Sequence, residues 1–183
     1  MVIRDARPDE LPAVADLRVR AYVAGGFLSA DSGYVPRLRA LGTNSDGRVL
    51  VATDADEQAI TPDATGAGSG TGQIVGTIML VSWPHTGQVV SSPDEAEIRA
   101  LAVAPGTQGR GIGRALLRAA LEVAARQGAR SLVLSTQREM RAAQRIYEQA
   151  GFARLPHRDW FPEPGTKLLV YGLRLDAWAA PVS

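Results

Sequence analysis

The chain contains no cysteine, and this absence removes several kinds of chemistry at once. Without thiols, a disulfide framework, a thiolate metal site and an acyl group carried on an enzyme cysteine are all excluded. Lysine is scarce as well: Lys167 is the only lysine in the chain, whereas there are nineteen arginines. The net charge is only +1 at pH 7, far from the basic excess of proteins that bind nucleic acids. We therefore expect no nucleic-acid partner and no metal site.

Long apolar runs are also missing. No stretch approaches the ~18 consecutive apolar residues that cross a bilayer, and residues 1–5 have no apolar core behind their charges, as a signal peptide would. The length of 183 residues and the 45% hydrophobic content suit one folded domain. We expect a single cytoplasmic domain over residues 1–183 that has no membrane partner.

Hydrophobic periodicity predicts strands and helices along most of the chain. Strands are predicted at residues 2–6, 49–52, 74–81, 96–104, 131–135 and 167–175. Helices are predicted from residue 7 to the pair Gly25-Gly26, and at 31–41, 113–127 and 138–150. This order of elements indicates an α/β or α+β fold built on a sheet.

Residues 54–72 interrupt that pattern. They are rich in Gly, Ala, Thr and Asp and have no apolar period. An unpatterned loop of this length is uncommon inside a domain. Because strand signals resume on both sides, we predict a flexible hairpin insertion here.

Residues 103–114, which read VAPGTQGRGIGR, have the composition of an anion-binding loop. They follow a predicted strand and enter a predicted helix. Gly109, Gly111 and Gly113 permit backbone conformations that turn several N–H groups toward one point. The first N–H groups of the helix and its dipole would add to that site, and Arg110 and Arg114 bring formal charge.

Two common phosphate motifs do not fit this loop. A dinucleotide-binding fingerprint that starts at Gly109 would need glycine or alanine where Arg114 stands, and a Walker loop that starts at Gly106 would need lysine where Ile112 stands. An ordinary nucleotide-binding domain is thereby disfavoured. A plain glycine-rich turn with solubilising arginines stays open as an alternative.

The pattern Gln108-x-x-Gly111-x-Gly113 after an apolar strand resembles the acyl-CoA loop of the GNAT superfamily of N-acetyltransferases. Downstream, Ala143-x-x-x-Tyr147-x-x-x-Gly151-Phe152 resembles the second motif of that family. The resemblance covers about residues 75–175. It implies a mixed central sheet flanked by helices, and an enzyme that transfers an acetyl group from acetyl-CoA, as co-substrate, to a primary amine of a small molecule or peptide.

The resemblance also implies which residues hold the cofactor. The loop positions that match the family are Gln108, Gly109, Arg110, Gly111, Ile112 and Gly113, with Arg114 as a further contact. On the preceding strand, Leu101, Ala102 and Val103 match the residues whose backbone groups meet the pantetheine arm. One of those three N–H groups would also stabilise the thioester oxygen as it becomes charged. Leu101 and Val103 are equally suited to a core strand.

Two side chains match catalytic positions of the family. Glu97 matches a carboxylate that acts as general base, although simple alternation also puts it beside Arg99 as an ion pair. Tyr147 matches the general acid for the departing sulfur, although its helix face would also suit a core tyrosine. Met140 stands where many relatives have asparagine, so contacts of that asparagine are not carried over. The reserves for the base are Asp159, Glu163 and His157.

The acceptor site would draw on residues 22–37 and 155–165, by the same resemblance. The aromatic side chains there are Tyr22, Phe27, Tyr34, Trp160 and Phe161. Together with nearby carboxylates they would suit a cationic amine with an apolar body. They would equally suit a packed loop or the contact of a homodimer. A CoA-binding sensor or interaction module without turnover is the alternative function.

Overall fold

The computed structural model describes residues 1–44, 47–54, 72–83, 88–163, 165–176 and 178. Within them, the strands are β1 (Val2–Asp5), β2 (Arg48–Thr53), β3 (Ile74–Ser82), β4 (Glu95–Val103), β5 (Ser131–Gln137), β6 (Ala153–Arg154), β7 (Trp160–Glu163) and β8 (Thr166–Arg174). The α-helices are α1 (Leu11–Ala24), α2 (Val35–Ala40), α3 (Ile112–Arg126) and α4 (Arg141–Gln149).

In the described part of the chain, all eight strands form one sheet in the order β1-β2-β3-β4-β5-β8-β6, with β7 added beside β8. Every neighbouring pair is antiparallel except β4 and β5, which run parallel. A parallel pair needs a long crossover, and α3 supplies it. The mixed central sheet flanked by helices that the sequence predicts is confirmed.

Helices α3 and α4 cover one face of the sheet. Along α3, Leu116, Leu117, Ala120 and Leu121 are buried and pack on apolar side chains of the sheet. This i, i+1, i+4, i+5 spacing forms one apolar stripe of a helix, while the arginines of α3 point away from it. Burial of a leucine side chain contributes about 2 kcal/mol, so this stripe holds α3 against the sheet.

Helices α1 and α2 cover the other face less completely. Val14 of α1 and Leu38 of α2 are buried against Val51 and Met79 of the sheet. Arg18 of α1 is fully buried and donates a hydrogen bond of 2.7 Å from Nη1 to the carbonyl of Leu41. A buried charge on this side shows that the two faces of the sheet differ in chemical character.

Most predicted elements appear within one or two residues of their predicted limits, and the differences have local causes. The first helix opens as a short 3₁₀ turn at Pro8–Glu10 before α1 begins. The second helix is limited to Val35–Ala40, and α4 begins at Arg141 rather than at residue 138. Strands β6 and β7 were not predicted, because they are short and one contains Pro162.

Of the predicted insertion, only its limits Asp54 and Gly72 are described, since residues 55–71 lie outside the described residues. None of the helices in the described ranges has the length and apolar character needed to span a membrane.

Candidate active site

Strand β4 contains an irregularity at the centre of the sheet. Thr77 pairs with Ala102 and Met79 pairs with Arg99, so one residue of β3 opposes two residues of β4. Ala100, within this bulge, has a φ of 51°, which a non-glycine residue adopts only at a cost of roughly 1–2 kcal/mol. A bulge bends its strand and increases the local twist.

The two parallel strands separate at this point. Their pairing ends where Ile98 meets Leu134, although β4 continues to Val103 and β5 continues to Gln137. Between residues 99–103 and 135–137 no ladder joins the strands, so the facing edge of β4 keeps backbone groups available for a ligand. The predicted pantetheine strand, residues 101–103, borders this gap.

The glycine-rich loop lies between β4 and the first turn of α3. Gly109 and Gly111 have φ values of 81° and 77°, and Gly111 is the residue that precedes the helix. Gly113 is helical instead, and a Cβ there would lie 3.3 Å from Cδ1 of Ile146 on α4. Two of the predicted glycines therefore shape the loop, and the third allows α3 and α4 to approach each other.

The two arginines of the loop region already have partners within the protein. Arg110 forms a bidentate ion pair with Asp54, at 2.9 and 3.0 Å, and Nη2 of Arg114 donates to Oε1 of Gln149 on α4 at 2.8 Å. Residues 108–111 are exposed, whereas Ile112 is buried in the core. Of Ile112, only the backbone N–H at the start of α3 could meet an anion.

Glu97 is buried in the interior of the sheet on the face of α1 and α2. Its side chain is 1% exposed, and its Oε1 lies 3.8 Å from Nε of Arg99, as strand alternation predicts. The backbone N–H of Val89 donates to its Oε2 at 3.2 Å. Burial raises the pKa of Glu97, and the positive charge of Arg99 and the Val89 N–H oppose that rise. A carboxyl group with a raised pKa is a better proton acceptor near neutral pH.

Tyr147 lies on the opposite face, among the side chains beneath α3 and α4. Its ring centroid is 6.0 Å from that of Phe152 and 6.2 Å from that of Tyr171. Burial raises the pKa of its hydroxyl, and a smaller contribution comes from Tyr22, which lines the cavity on the other face. Glu97, which pairs with Val81, and Tyr147 therefore lie on opposite faces of the sheet.

A cavity of about 840 Å³ adjoins Glu97. Its walls come from the segment between α1 and α2, from β4, from the end of β5 and the turn into α4, and from β7 and β8. Of the predicted acceptor-site residues, Tyr22, Phe27, Tyr34, Trp160 and Glu163 line it. Phe161 does not line the cavity and is 62% exposed. This volume suits a small-molecule ligand.

Asp159 and His157, the other reserves for the base, do not line this cavity. Asp159 accepts hydrogen bonds of 2.9 Å from Arg154 and from the Val170 N–H, and it lies 3.1 Å from Nζ of Lys167. Although burial opposes the change, these contacts lower the pKa of Asp159 to about 2. So acidic a group is a poor general base at neutral pH. Asp159, which precedes β7, instead joins Arg154 of β6 to Val170 and Lys167 of β8.

Sequence reasoning missed a polar connection across the cavity. Nε2 of Gln137, at the end of β5, donates to the carbonyl of Phe27 at 3.2 Å. The two residues are 110 positions apart, and no local pattern predicts such a contact. Met140 is part of the same wall and accepts a hydrogen bond of 3.5 Å from Thr136 at its sulfur.

The sequence and the fold were compared with known protein families and solved structures. A model of the acetyltransferase (GNAT) family matches residues 43–152, which include the loop and Tyr147. None of the curated protein sequences matches the chain. Among solved structures, an acetyltransferase of the GNAT family from Staphylococcus aureus Mu50 is 19% identical, with a TM-score of 0.68, and the alignment covers 95% of this chain and 98% of that one.

Two further similar structures are of proteins whose cofactor or activity is stated. The protein yncA of Salmonella typhimurium, solved with its cofactor acetyl-CoA, is 22% identical with a TM-score of 0.63, over 100% of this chain and 98% of that one. The ribosomal-protein-alanine N-acetyltransferase of Brucella melitensis is 20% identical with a TM-score of 0.61, over 95% and 99%. The family uses acetyl-CoA as its co-substrate. The fold and the family match agree, and the chain belongs to the acetyltransferase (GNAT) family.

Proposed function

We propose that the chain is an N-acetyltransferase that transfers the acetyl group of acetyl-CoA directly to a primary amine of a small molecule or a peptide. The observation that carries this proposal is the gap between β4 and β5. One side of the sheet offers the loop and the start of α3, which suit a pyrophosphate. The other side offers a cavity with a buried carboxylate, which suits an amine.

The residues near the gap fit the cofactor. The exposed loop 108–111 and the first N–H groups of α3 would hold the pyrophosphate, because Gly111 leaves open space above the helix start. Backbone groups of residues 101–103 would hold the pantetheine arm along the gap. Arg114 would add a contact if it left Gln149, and Arg110 would have to leave Asp54.

The proposed chemistry assigns one task to each side chain. Acetyl-CoA supplies the acetyl group as a thioester, whose C–S bond breaks as the C–N bond forms. Glu97 accepts the proton that leaves the amine nitrogen. An N–H of residues 101–103 donates to the developing oxyanion, an interaction worth about 2.7–4 kcal/mol where it has been removed. Tyr147 gives a proton to the departing sulfur, although its raised pKa makes it a weak acid.

The similar solved structures support the proposal that the acceptor is an amine and that the cofactor is acetyl-CoA. The Brucella melitensis structure is described as an N-acetyltransferase of ribosomal-protein alanine, and the Salmonella typhimurium structure was solved with acetyl-CoA. Both resemble this chain in fold at identities near one fifth. Such similarity supports the class of reaction and leaves the acceptor to be argued from the cavity.

The direct test is release of free thiol from acetyl-CoA in the presence of a panel of amines, followed by mass spectrometry of the acetylated product. Thermal melting with acetyl-CoA, CoA, ATP and NAD measures binding in parallel, since a ligand at ~100 times its dissociation constant stabilises a protein by about 2.7 kcal/mol. Stabilisation by acetyl-CoA together with thiol release supports the proposal. Stabilisation without release from any amine would favour the alternative, a CoA-binding sensor.

A further inference from the structure

Arg99 lies in the cavity wall two residues after Glu97, and its guanidinium has unused donors. The side chain is 16% exposed, and its ion pair with Glu97 spans 3.8 Å, which is beyond hydrogen-bond range. No hydrogen bond joins this guanidinium to any residue that the structure describes. A guanidinium has five N–H donors, and leaving such a group largely buried without acceptors is costly.

The charges of the cavity argue against a plain cation as ligand. Lys167 is paired with Asp159, but Arg37 and Arg138 line the cavity, are exposed and form no ion pair with residues of the described ranges. A site for a polyamine would carry an excess of carboxylates. Apart from the paired Lys167, the described part of this lining carries three arginines and three glutamates, Glu139 and Glu163 in addition to Glu97, so its charge is balanced and suits a ligand that carries both signs.

Glu97 and Arg99 present opposite charges side by side on one strand. An α-amino acid carries an ammonium group and a carboxylate on the same carbon, so its charges are complementary to this pair. We propose, resting on the amine acetylation proposed above, that the acceptor is an amino acid or another small amine with a carboxylate close to its nitrogen. Arg99 binds the carboxylate, and the nitrogen faces Glu97.

The test uses matched sets of acceptors. Each of the protein amino acids is compared with its amide and with its decarboxylated amine, and kcat/KM is measured from thiol release. A charge-assisted contact predicts that the carboxylate form is preferred about 10- to 100-fold over both partners for the amino acids that fit the cavity. Equal or better rates with the amides, the decarboxylated amines or dipeptides would overturn the inference.

Variants show whether Arg99 causes the preference. Because Arg99 also affects the base, the quantity compared is kcat/KM for the amino acid divided by kcat/KM for its decarboxylated amine, measured on the same enzyme. An effect of the substitution on Glu97 changes both values and leaves their ratio the same. Arg99→Met should bring that ratio near one, and Arg99→Lys should keep part of it. The control Arg118→Met, on the exposed side of α3, should leave it unchanged. Thermal melting verifies that each variant is folded.

Failure of the proposed function is distinguishable from failure of this inference. If no amine causes thiol release, binding of the amino acids is measured by calorimetry with the protein saturated with acetyl-CoA. This measurement tests the carboxylate site without turnover. Binding of an amino acid that is lost in Arg99→Met and partly kept in Arg99→Lys would support the carboxylate site without turnover. Binding that is unaffected by either variant, or absent for all amino acids, would overturn it.

Discussion

The two faces of the central sheet are built by different kinds of interaction. On the side of α3 and α4, apolar side chains recur at regular spacing, and the proposed cofactor contacts are backbone N–H groups around Gly111. On the side of α1 and α2, the cavity is lined by aromatic, charged and amide side chains from distant parts of the chain. The proposed cofactor face depends on backbone conformation, and the proposed acceptor face depends on tertiary contacts.

That difference predicts how each face responds to mutation. On the cofactor face, a change of backbone conformation should matter most, and it should act on acetyl-CoA before it acts on the amine. On the acceptor face, a change of charge should matter most, and it should act on turnover or specificity while acetyl-CoA still binds. Each prediction below tests one side of this distinction.

Gly111→Asp should cause the largest effect, a loss of acetyl-CoA affinity on the order of 1,000-fold, because a carboxylate would lie beside the pyrophosphate. The matched control is Gly128→Asp at the other end of the same helix. Both glycines have positive φ, 77° and 82°, and open space around a Cβ, so the backbone strain is the same. Calorimetry should show near-normal affinity for the control. Equal affinity in both variants would remove the loop from the cofactor site.

Glu97→Gln should lower kcat by about 100-fold or more near pH 7, the usual size of a general-base contribution. An aliphatic amine has a pKa near ~10.4, so the defect should shrink as pH rises and more acceptor is free. Acetyl-CoA affinity should be unchanged. The control Glu122→Gln, on α3, should behave like wild type. A pH–rate profile of Glu97→Gln that overlies wild type would move the base elsewhere.

Asp159→Asn should destabilise the fold by about 2 kcal/mol at pH 7, because it removes a carboxylate whose pKa is about 2 in the folded state and near 3.9 unfolded. Since the folded-state pKa is the lower one, this stability is present above pH 4 and is lost as pH falls toward 2. Denaturant titrations at pH 7 and pH 3 should therefore show a shrinking difference. Folded Asp159→Asn should keep its kcat, which a role as base would not allow.

Tyr147→Phe should have the smallest effect, about a tenfold loss of kcat with unchanged acetyl-CoA affinity. A thiol with a pKa of about 8.5 leaves moderately well without help, and the raised pKa of Tyr147 limits its strength as an acid. Removal of the hydroxyl leaves the ring contacts with Phe152 and Tyr171 in place, so stability is a built-in control. If Tyr147→Phe had the kcat of the wild type, Tyr147 would have a structural role in the core and no role as an acid.

The sequence predicted the elements of the proposed cofactor face closely, because they are consecutive in the chain. The helix α3, the loop before it and the strand before the loop are consecutive, and their glycines and leucines stand at fixed spacings. The same holds for Tyr147 and Phe152 after α4. Physical regularity within about thirty residues is what sequence patterns record.

The acceptor face could not be predicted in the same way. The bulge at Ala100 depends on how β4 meets β3, and no glycine marks it. The hydrogen bond from Gln137 to Phe27 joins distant segments. Trp160 was expected near the acceptor, and it lines the cavity because β7 is placed beside β8. Sequence reasoning found these residue types and missed the arrangement that gives them a role.

The initial-rate pattern with both substrates varied tests direct transfer most directly. Because the chain has no cysteine to carry an acetyl group, the proposed function predicts a ternary complex. Double-reciprocal lines should then intersect, and mass spectrometry of enzyme incubated with acetyl-CoA alone should show no added acetyl group. Parallel lines together with an isolable acetyl-enzyme would contradict direct transfer.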